Sequence, residues 1–550
     1  MDVPQTLKTT LAGDDPMLLR KMTRLAHVSS LCTLLIVVCQ LRASAQTAIT
    51  THHYDNYRTG WNQNETTLTP ANVNSNSFGL LQTVTLDAQV DGQPLVVPAV
   101  LITAGNFQGT HDVVYVATEG NTIYAIDAES GKVLLSPNFG APVQPPAICG
   151  SSPSLGIHST PVIDLTSNTL YAMVYTQDTN GPAYRIHALD LGSLTDKVTP
   201  QLVVASHTLT DGSTFSFNAT YQRQRPALLL ANGNVYAAFG SFCDTQANLS
   251  RGWLLAWSTG SLTPLPPNQL IDTQATAPSS YFLSSIWMSG NGPATDDSGN
   301  VLFVTGNSYY TTYDGVTNVQ ESVVKASSTL SGLMDLFTPN NQDSLDLGDL
   351  DFGSGGVLVL PDQPGTTPHL AVAAGKNGTM FLMNEDHLGG FAPHNHVLGS
   401  YNVGPCWCGE SYFVDPKDGA PRIVSSGGKT IQVWKLKTSP RPALSLVGSS
   451  GSIGGGQTPG FFTAVSSNGT TNAIIWALSH PAANSTITLY AFNPDLGGTS
   501  IRRLFKASAG SWPNPPNNSN QVPVIALGQV FVASSQQLQI FGLKPGRGKK

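Results

Sequence analysis

The sequence predicts an all-β chain: one eight-bladed β-propeller of four-stranded antiparallel blades, closed by an N-terminal strand. Three observations predict it. A hairpin pattern recurs eight times at a spacing of about sixty residues. A second series of short strands runs in phase ahead of it. The two ends of the chain hold complementary parts of one unit. A period this long, with several strands in each unit, is the signature of propeller blades.

The clearest hairpin is residues 112–133, DVVYVATEGNTIYAIDAESGKV. VYVAT alternates as a strand, Glu119-Gly120-Asn121 turns, TIYAID returns, and Glu129-Ser130-Gly131 turns again. The other copies start at Leu170, Val235, Val301, Leu370, Arg422, Ala473 and Val530. Each is preceded by a short strand opened by polar or small residues and often Pro: Gln93-Pro94, Thr160-Pro161, Arg225-Pro226, Gly292-Pro293, Gly355-Gly356, Ser411, Thr458-Pro459 and Val522-Pro523. Proline at a strand's first residue forfeits no ladder bond. The last unit ends at its third strand, residues 539–543, while residues 80–86 (LLQTVTL) form a strand ahead of the first complete unit. That strand is expected to complete the last blade and leave no open sheet edge. No stretch shows sustained helical periodicity.

Charged residues make up only 11% of the chain, against about 25% in ordinary soluble domains, so the surface must be polar mainly through uncharged side chains. The formal net charge of -7 is spread thinly and no basic patch is present, which argues against nucleic-acid binding. The tail at 544–550 (KPGRGKK) reads as a solvated basic end.

Residues 1–45 read as a secretory signal. Arg20, Lys21 and Arg24 precede an apolar run at 28–41, and Ala43-Ser44-Ala45 is a small-x-small cleavage site that makes Gln46 the first mature residue. The run is short for a membrane span, so the mature chain is expected to be secreted or periplasmic, with no span of its own. An extension then covers 46–77, the propeller 78–543 and the tail 544–550.

Cleavage leaves Cys149, Cys243, Cys406 and Cys408. Export permits disulfides, and four cysteines allow three connectivities. Cys149–Cys243 is the favoured pair, because both residues lie in loops after neighbouring repeats. Cys406-Trp407-Cys408 reads as too close in sequence for an easy bridge, a strained one being the alternative. There is no Cys-x-x-Cys-His haem attachment site.

The segment VYVATEGNTIYAIDAESGKV resembles the pyrroloquinoline-quinone (PQQ) repeat of quinoprotein dehydrogenases, and of the outer-membrane assembly lipoproteins that share their propeller. The opening YDNYRTGWNQNETTLTPANV is similar to a group of exported bacterial PQQ-repeat proteins. The repeat is specific for fold and weak for function. In quinoprotein dehydrogenases, PQQ and a calcium ion lie at the mouth of the central funnel. An Asp takes the substrate proton, a Trp floors the ring and a Lys or Arg binds the quinone oxygens.

Carried over by position, the resemblance implies calcium ligands at Asn307 and Asp351, with Asp351 also the catalytic base. Trp287, Lys376 and Arg225 are the cofactor-binding candidates. Two departures count against the cofactor: the family's vicinal disulfide is Cys149-Gly150 here, and its calcium-binding Glu has no counterpart after Phe239-Gly240-Ser241, where Asp244 or Ala247 falls nearby. A missing acidic ligand lowers cation affinity directly.

Each candidate has a plainer reading. Asn307 suits a strand end, Lys376 an exposed hairpin turn and Trp287 the core. Asp351, with Asp343, Asp346 and Asp349, reads equally as a calcium site or a solvated acidic loop. His394-x-His396 reads as a loop because Pro393 and Asn395 flank the pair. His158, Ser159, Arg223, Arg225, Ser289, Asn291, Glu410 and Gln457 open inner strands and are expected to ring the funnel.

The expected function is that of a non-catalytic binding or scaffold propeller. Its partner is a protein, peptide or glycan, or a small polar ligand in the funnel. The alternative is a calcium- and PQQ-dependent dehydrogenase of an alcohol or sugar.

Overall fold

Strand ranges follow the expected period. The computed structural model describes residues 47–144, 152–453, 459–481, 485–495, 499–513 and 520–545. The signal segment, Gln457 and most of the basic tail lie outside these residues. Eight antiparallel sheets succeed one another along the chain. Blade 1 is Leu95–Ile102, Gly109–Ala117, Ile123–Asp127 and Val133–Leu135. Blades 2 and 3 begin at Val162–Asp164 and Leu229–Ala231, blades 4 and 5 at Ala294–Thr295 and Val357–Val359, and blades 6 and 7 at Ser411–Val414 and Thr463–Asn468. Blade 8 is Val524–Ala526, Gln529–Leu543 and Phe78–Gln89.

The ring closes as the two ends of the sequence predict. Phe78 pairs with Leu543, Leu80 with Phe541 and Thr83 with Gln539. The run Gln529–Leu543 changes partners near Gln536, which has a φ of 56°. Its first half pairs with Val524–Ala526 and its second half with Phe78–Gln89.

Sheets packed on both faces need strands that are apolar throughout. Leu370–Ala374 (LAVAA) and the middle of Asn234–Ser241 (VYAAFG) are accordingly buried at every position. Buried side chains fill the spaces between neighbouring sheets. Phe78, Trp476, Phe505 and Phe541 meet at the seam between blades 7 and 8.

The extension ahead of the propeller is built into its axis. Ile49 exchanges two backbone bonds with Val96 of blade 1, and Thr50 O accepts from Ile163 N of blade 2. Asn56 Nδ2 donates to Leu230 O of blade 3, and Asn56 O accepts from Thr295 N of blade 4. Tyr57 O, Thr59 O and Gly60 O accept from Val359, Tyr412 and Val465 of blades 5, 6 and 7. Asn62 Nδ2 then donates to Ile525 O of blade 8. Fourteen residues, 49–62, thus touch the innermost strand of every blade. Gly60 makes the tight passage: its φ is 64°, and a Cβ there would lie 2.7 Å from Ser411 Oγ.

Two sequence expectations are corrected. The acidic stretch around Asp346 is not a loop but a short helix, Gln342–Gly348. Its Asp346 is held by Gln320 Nε2 and Ser308 N, each at 3.0 Å. Cys406 and Cys408, expected to be too close for an easy bridge, are joined. The chain bends at Trp407 and brings the two Cα atoms to 5.0 Å, within the ordinary range for a disulfide. Cys243 is also disulfide-bonded, and Cys149 lies outside the described residues.

Candidate functional site: the funnel mouth

The loops that open the inner strands of successive blades meet around a cavity of about 330 Å³. Arg223 and Arg225 come from the entry to blade 3, Asp244 from a later loop of that blade, and Trp287 from the entry to blade 4. Asp349 and Asp351 precede blade 5, Lys376 follows its second strand, Trp407 precedes blade 6 and Asn520 precedes blade 8.

Lys376 is the centre of this arrangement. Its ammonium lies 2.6 Å from Asp351 Oδ2 and 2.8 Å from Asp349 Oδ1. It is also over two indoles, 5.4 Å from the ring centroid of Trp287 and 5.6 Å from that of Trp407. Both contacts are within cation–π range. Burial works against the ammonium, but Asp351 and Asp349 outweigh it and hold the pKa up at about 12. The side chain is therefore charged throughout the neutral range.

Asp351 is buried, and burial raises its carboxyl pKa while Lys376 pulls it back. Its Oδ1 accepts from Asn307 N at 2.9 Å. The backbone leaves no slack here. A Cβ on Gly353 would lie 2.5 Å from Gly306 N and Thr305 C, and Lys376 N donates to Asp351 O at 3.0 Å. Asp244 is pushed up to about 6 by burial and by the Asp351 charge.

Trp287 is half-buried on the cavity wall rather than in the core, and Lys376 is 9% exposed rather than an open turn residue. Asn307 is buried beside Asp351, with its Nδ2 3.4 Å from Tyr281 Oη. Ser159, Ser289, Asn291 and Glu410 are buried at the strand entries, and His394 and His396 lie in a loop. Burial pushes Glu410 up to about 7, and its Oε2 has no hydrogen-bond partner among the described residues.

Nothing in the sequence marks Trp407, because the spacing of its flanking cysteines does not reveal the bend that places the indole at the cavity. Asp91 and Glu119, which contact His158 from blade 1, are unmarked too. They come from different turns, and no local pattern joins them.

No family model and no curated protein matches this chain in sequence. In structure it is similar to the quinohemoprotein alcohol dehydrogenase of Comamonas testosteroni, at a TM-score of 0.55 and 12% identity over 92% of this chain and 82% of that one. A second quinohemoprotein alcohol dehydrogenase, from Pseudomonas putida HK5, gives a TM-score of 0.57 and 12% identity over the same shares. A europium-containing methanol dehydrogenase gives 0.55 and 9%, over 90% of this chain and 98% of that one. This chain is an eight-bladed β-propeller with the fold of the quinoprotein alcohol dehydrogenases. At these identities the likeness is one of fold.

Calcium, implied by the sequence resemblance, takes six to eight oxygen ligands. Both carboxylate oxygens of Asp351 are engaged, one by Lys376 and one by the Asn307 amide. Asp244 Oδ1 is engaged by Ser241 Oγ at 2.5 Å. The described acidic, His and Cys side chains whose ligand atoms converge in threes lie elsewhere, at Asp91, Glu119 and His158 and at Cys406, Cys408 and Glu410. The residues around Asp351 do not fit a calcium ion.

Proposed function

We propose that this is an exported, non-catalytic binding propeller that holds a small, flat-faced polar molecule at the funnel mouth. One observation carries the reading: a lysine ammonium over two indole rings, in the same cavity as two arginines and several carboxyls. Indole faces take flat apolar surface, and convergent polar groups fix its orientation. A planar aromatic acid and a sugar acid both have this chemistry.

A second reading is the calcium- and PQQ-dependent dehydrogenase. It is favoured by the convergence of Asn307, Asp351, Lys376 and Trp287, the set that the resemblance assigns. The committed oxygens of Asp351 weigh against it.

Tryptophan fluorescence, titrated with PQQ and separately with galacturonate, each with and without calcium, tests both readings. Saturable quenching by at least one probe is expected, independent of calcium and lost in Trp407→Ala. No dye reduction with alcohols is expected. Calcium-dependent dye reduction that Asp351→Ala abolishes would overturn the non-catalytic reading.

A further inference from the structure

We infer that Arg223 and Arg225 form a clamp for a compact oxyanion, a carboxylate or phosphate carried by the funnel ligand, and that His158 positions both guanidinium groups. The inference rests on the funnel-binding reading and names the group that the ligand must carry.

His158 Nε2 lies 2.8 Å from an Arg223 terminal nitrogen and 3.0 Å from an Arg225 one. A guanidinium only donates, so Nε2 must be the acceptor and Nδ1 must carry the imidazole proton. That proton faces Glu119 Oε1, with Asp91 Oδ2 at 3.2 Å. The carboxyls are anchored in turn: Asp91 accepts from Gln89 Nε2 at 3.0 Å, and Glu119 from Gly156 N at 2.7 Å. Carboxyls from blade 1, an imidazole from the entry to blade 2 and guanidiniums from the entry to blade 3 form one chain that ends at the cavity. Rigid blade packing sets the order of its links.

Two guanidiniums crowd one lone pair. Burial raises the Glu119 carboxyl above its ordinary range, while at Asp91 His158 and Arg225 outweigh burial and lower it. The nearby Asp349 and Asp351 are bound to Lys376. Arg225 makes two bonds, to His158 and, at 3.4 Å, to Ser289 O. Its remaining donors open on the cavity that it lines. Arg223 lines the same cavity, and an oxyanion there takes the planar donors that two guanidiniums offer.

Asp91, Glu119 and His158 also present ligand atoms close enough for a metal ion. A metal on Nδ1 would move the imidazole proton to Nε2, against two arginine donors, and add charge beside two cations. The geometry thus points to an anion in front of the imidazole rather than a cation behind it.

Titration calorimetry of the mature protein with inorganic phosphate, in a buffer free of other oxyanions, is the test. Saturable binding is expected, weakened at least about tenfold by Arg223→Gln or Arg225→Gln. His158→Gln keeps an acceptor toward the arginines and is expected to bind better than His158→Phe, a difference that loss of packing alone does not produce. Absence of phosphate binding, or binding unchanged in the double arginine variant, overturns the clamp. So does stoichiometric zinc uptake that His158→Phe abolishes. Should PQQ or galacturonate quench the parent and Arg225→Gln equally, the clamp fails while the funnel reading stands. Phosphate binding that requires both arginines, with no quenching by either flat probe, supports the clamp and removes the funnel reading.

Discussion

Arg58 lies fully buried in the axial segment, and Arg58→Met tests whether that segment holds the ring together. Methionine keeps most of the stem and removes every donor. The guanidinium donates to Pro293 O at 2.9 Å, Thr51 Oγ1 at 2.7 Å, His52 O at 2.8 Å and Leu228 O at 3.3 Å. Three carbonyls, two of them in the entries to blades 3 and 4, lose a charged donor with little access to water. At roughly 1–3 kcal/mol for each stranded group, the gross loss is about 5 kcal/mol. Relief from burying a charge returns part of it, leaving a net cost of about 3 kcal/mol. Burial already lowers the Arg58 pKa to about 10, so the side chain is still charged at neutral pH and the desolvation term is real. Urea unfolding followed by tryptophan fluorescence reads the result. With a slope of about 3 kcal/mol per molar, the midpoint falls by about 1 M with the slope unchanged. A midpoint within about 0.2 M of the parent would refute the reasoning, because the segment's bonds would then contribute little to the stability of the ring.

Two further predictions concern the axis and the seam. Burial holds the Glu410 carboxyl at about 7 in the folded chain, above its unfolded value. Its stabilising contribution is therefore full below about pH 4.5 and is lost as pH rises through 7, by about 3 kcal/mol. Glu410→Gln should match the parent at pH 4.5 and exceed it by about that amount at pH 8; urea midpoints showing the same difference at both pH values count against this. At the seam, Thr83 and Gln539 are register partners, so the double variant Thr83→Cys, Gln539→Cys should crosslink on mild oxidation. Non-reducing electrophoresis detects the closed loop, and a chain that stays open argues for a different register.

Much of the fold was legible because a propeller repeats its instructions. The hairpin starting at Leu370 is expected from LAVAAGKNGTMFLMN and is found as Leu370–Ala374 paired with Thr379–Asn384. Local strand propensity and turn chemistry determine such a unit without help from its neighbours. The closing strand was legible as well, since a unit lacking one strand and a strand lacking a unit have one economical solution. Trp407 shows where this reasoning stops. Spacing argues against an easy Cys406–Cys408 bridge, but a bend in the chain brings the two Cα atoms to 5.0 Å and leaves the Trp407 indole beside Lys376. Backbone shape at a loop is decided by packing against the neighbouring blade, here by contacts such as Trp407 N to Pro459 O at 3.2 Å.

By itself, the sequence determined that the chain is all-β, that it forms eight blades and that one strand from each end shares the last of them. Those features follow from periodicity and edge pairing, which are local or nearly so. The tertiary structure decided the rest. It threaded residues 49–62 through every blade and set Lys376 between two indoles. It also lined up Asp91, Glu119, His158, Arg223 and Arg225 across three blades. These contacts join residues far apart in sequence, as in the bonds from His53 Nε2 to Thr463 O, a separation of 410, and from Asn62 Nδ2 to Ile525 O, a separation of 463. No local pattern encodes such pairs, because they exist only once the ring has closed and its inner strands have converged on one axis.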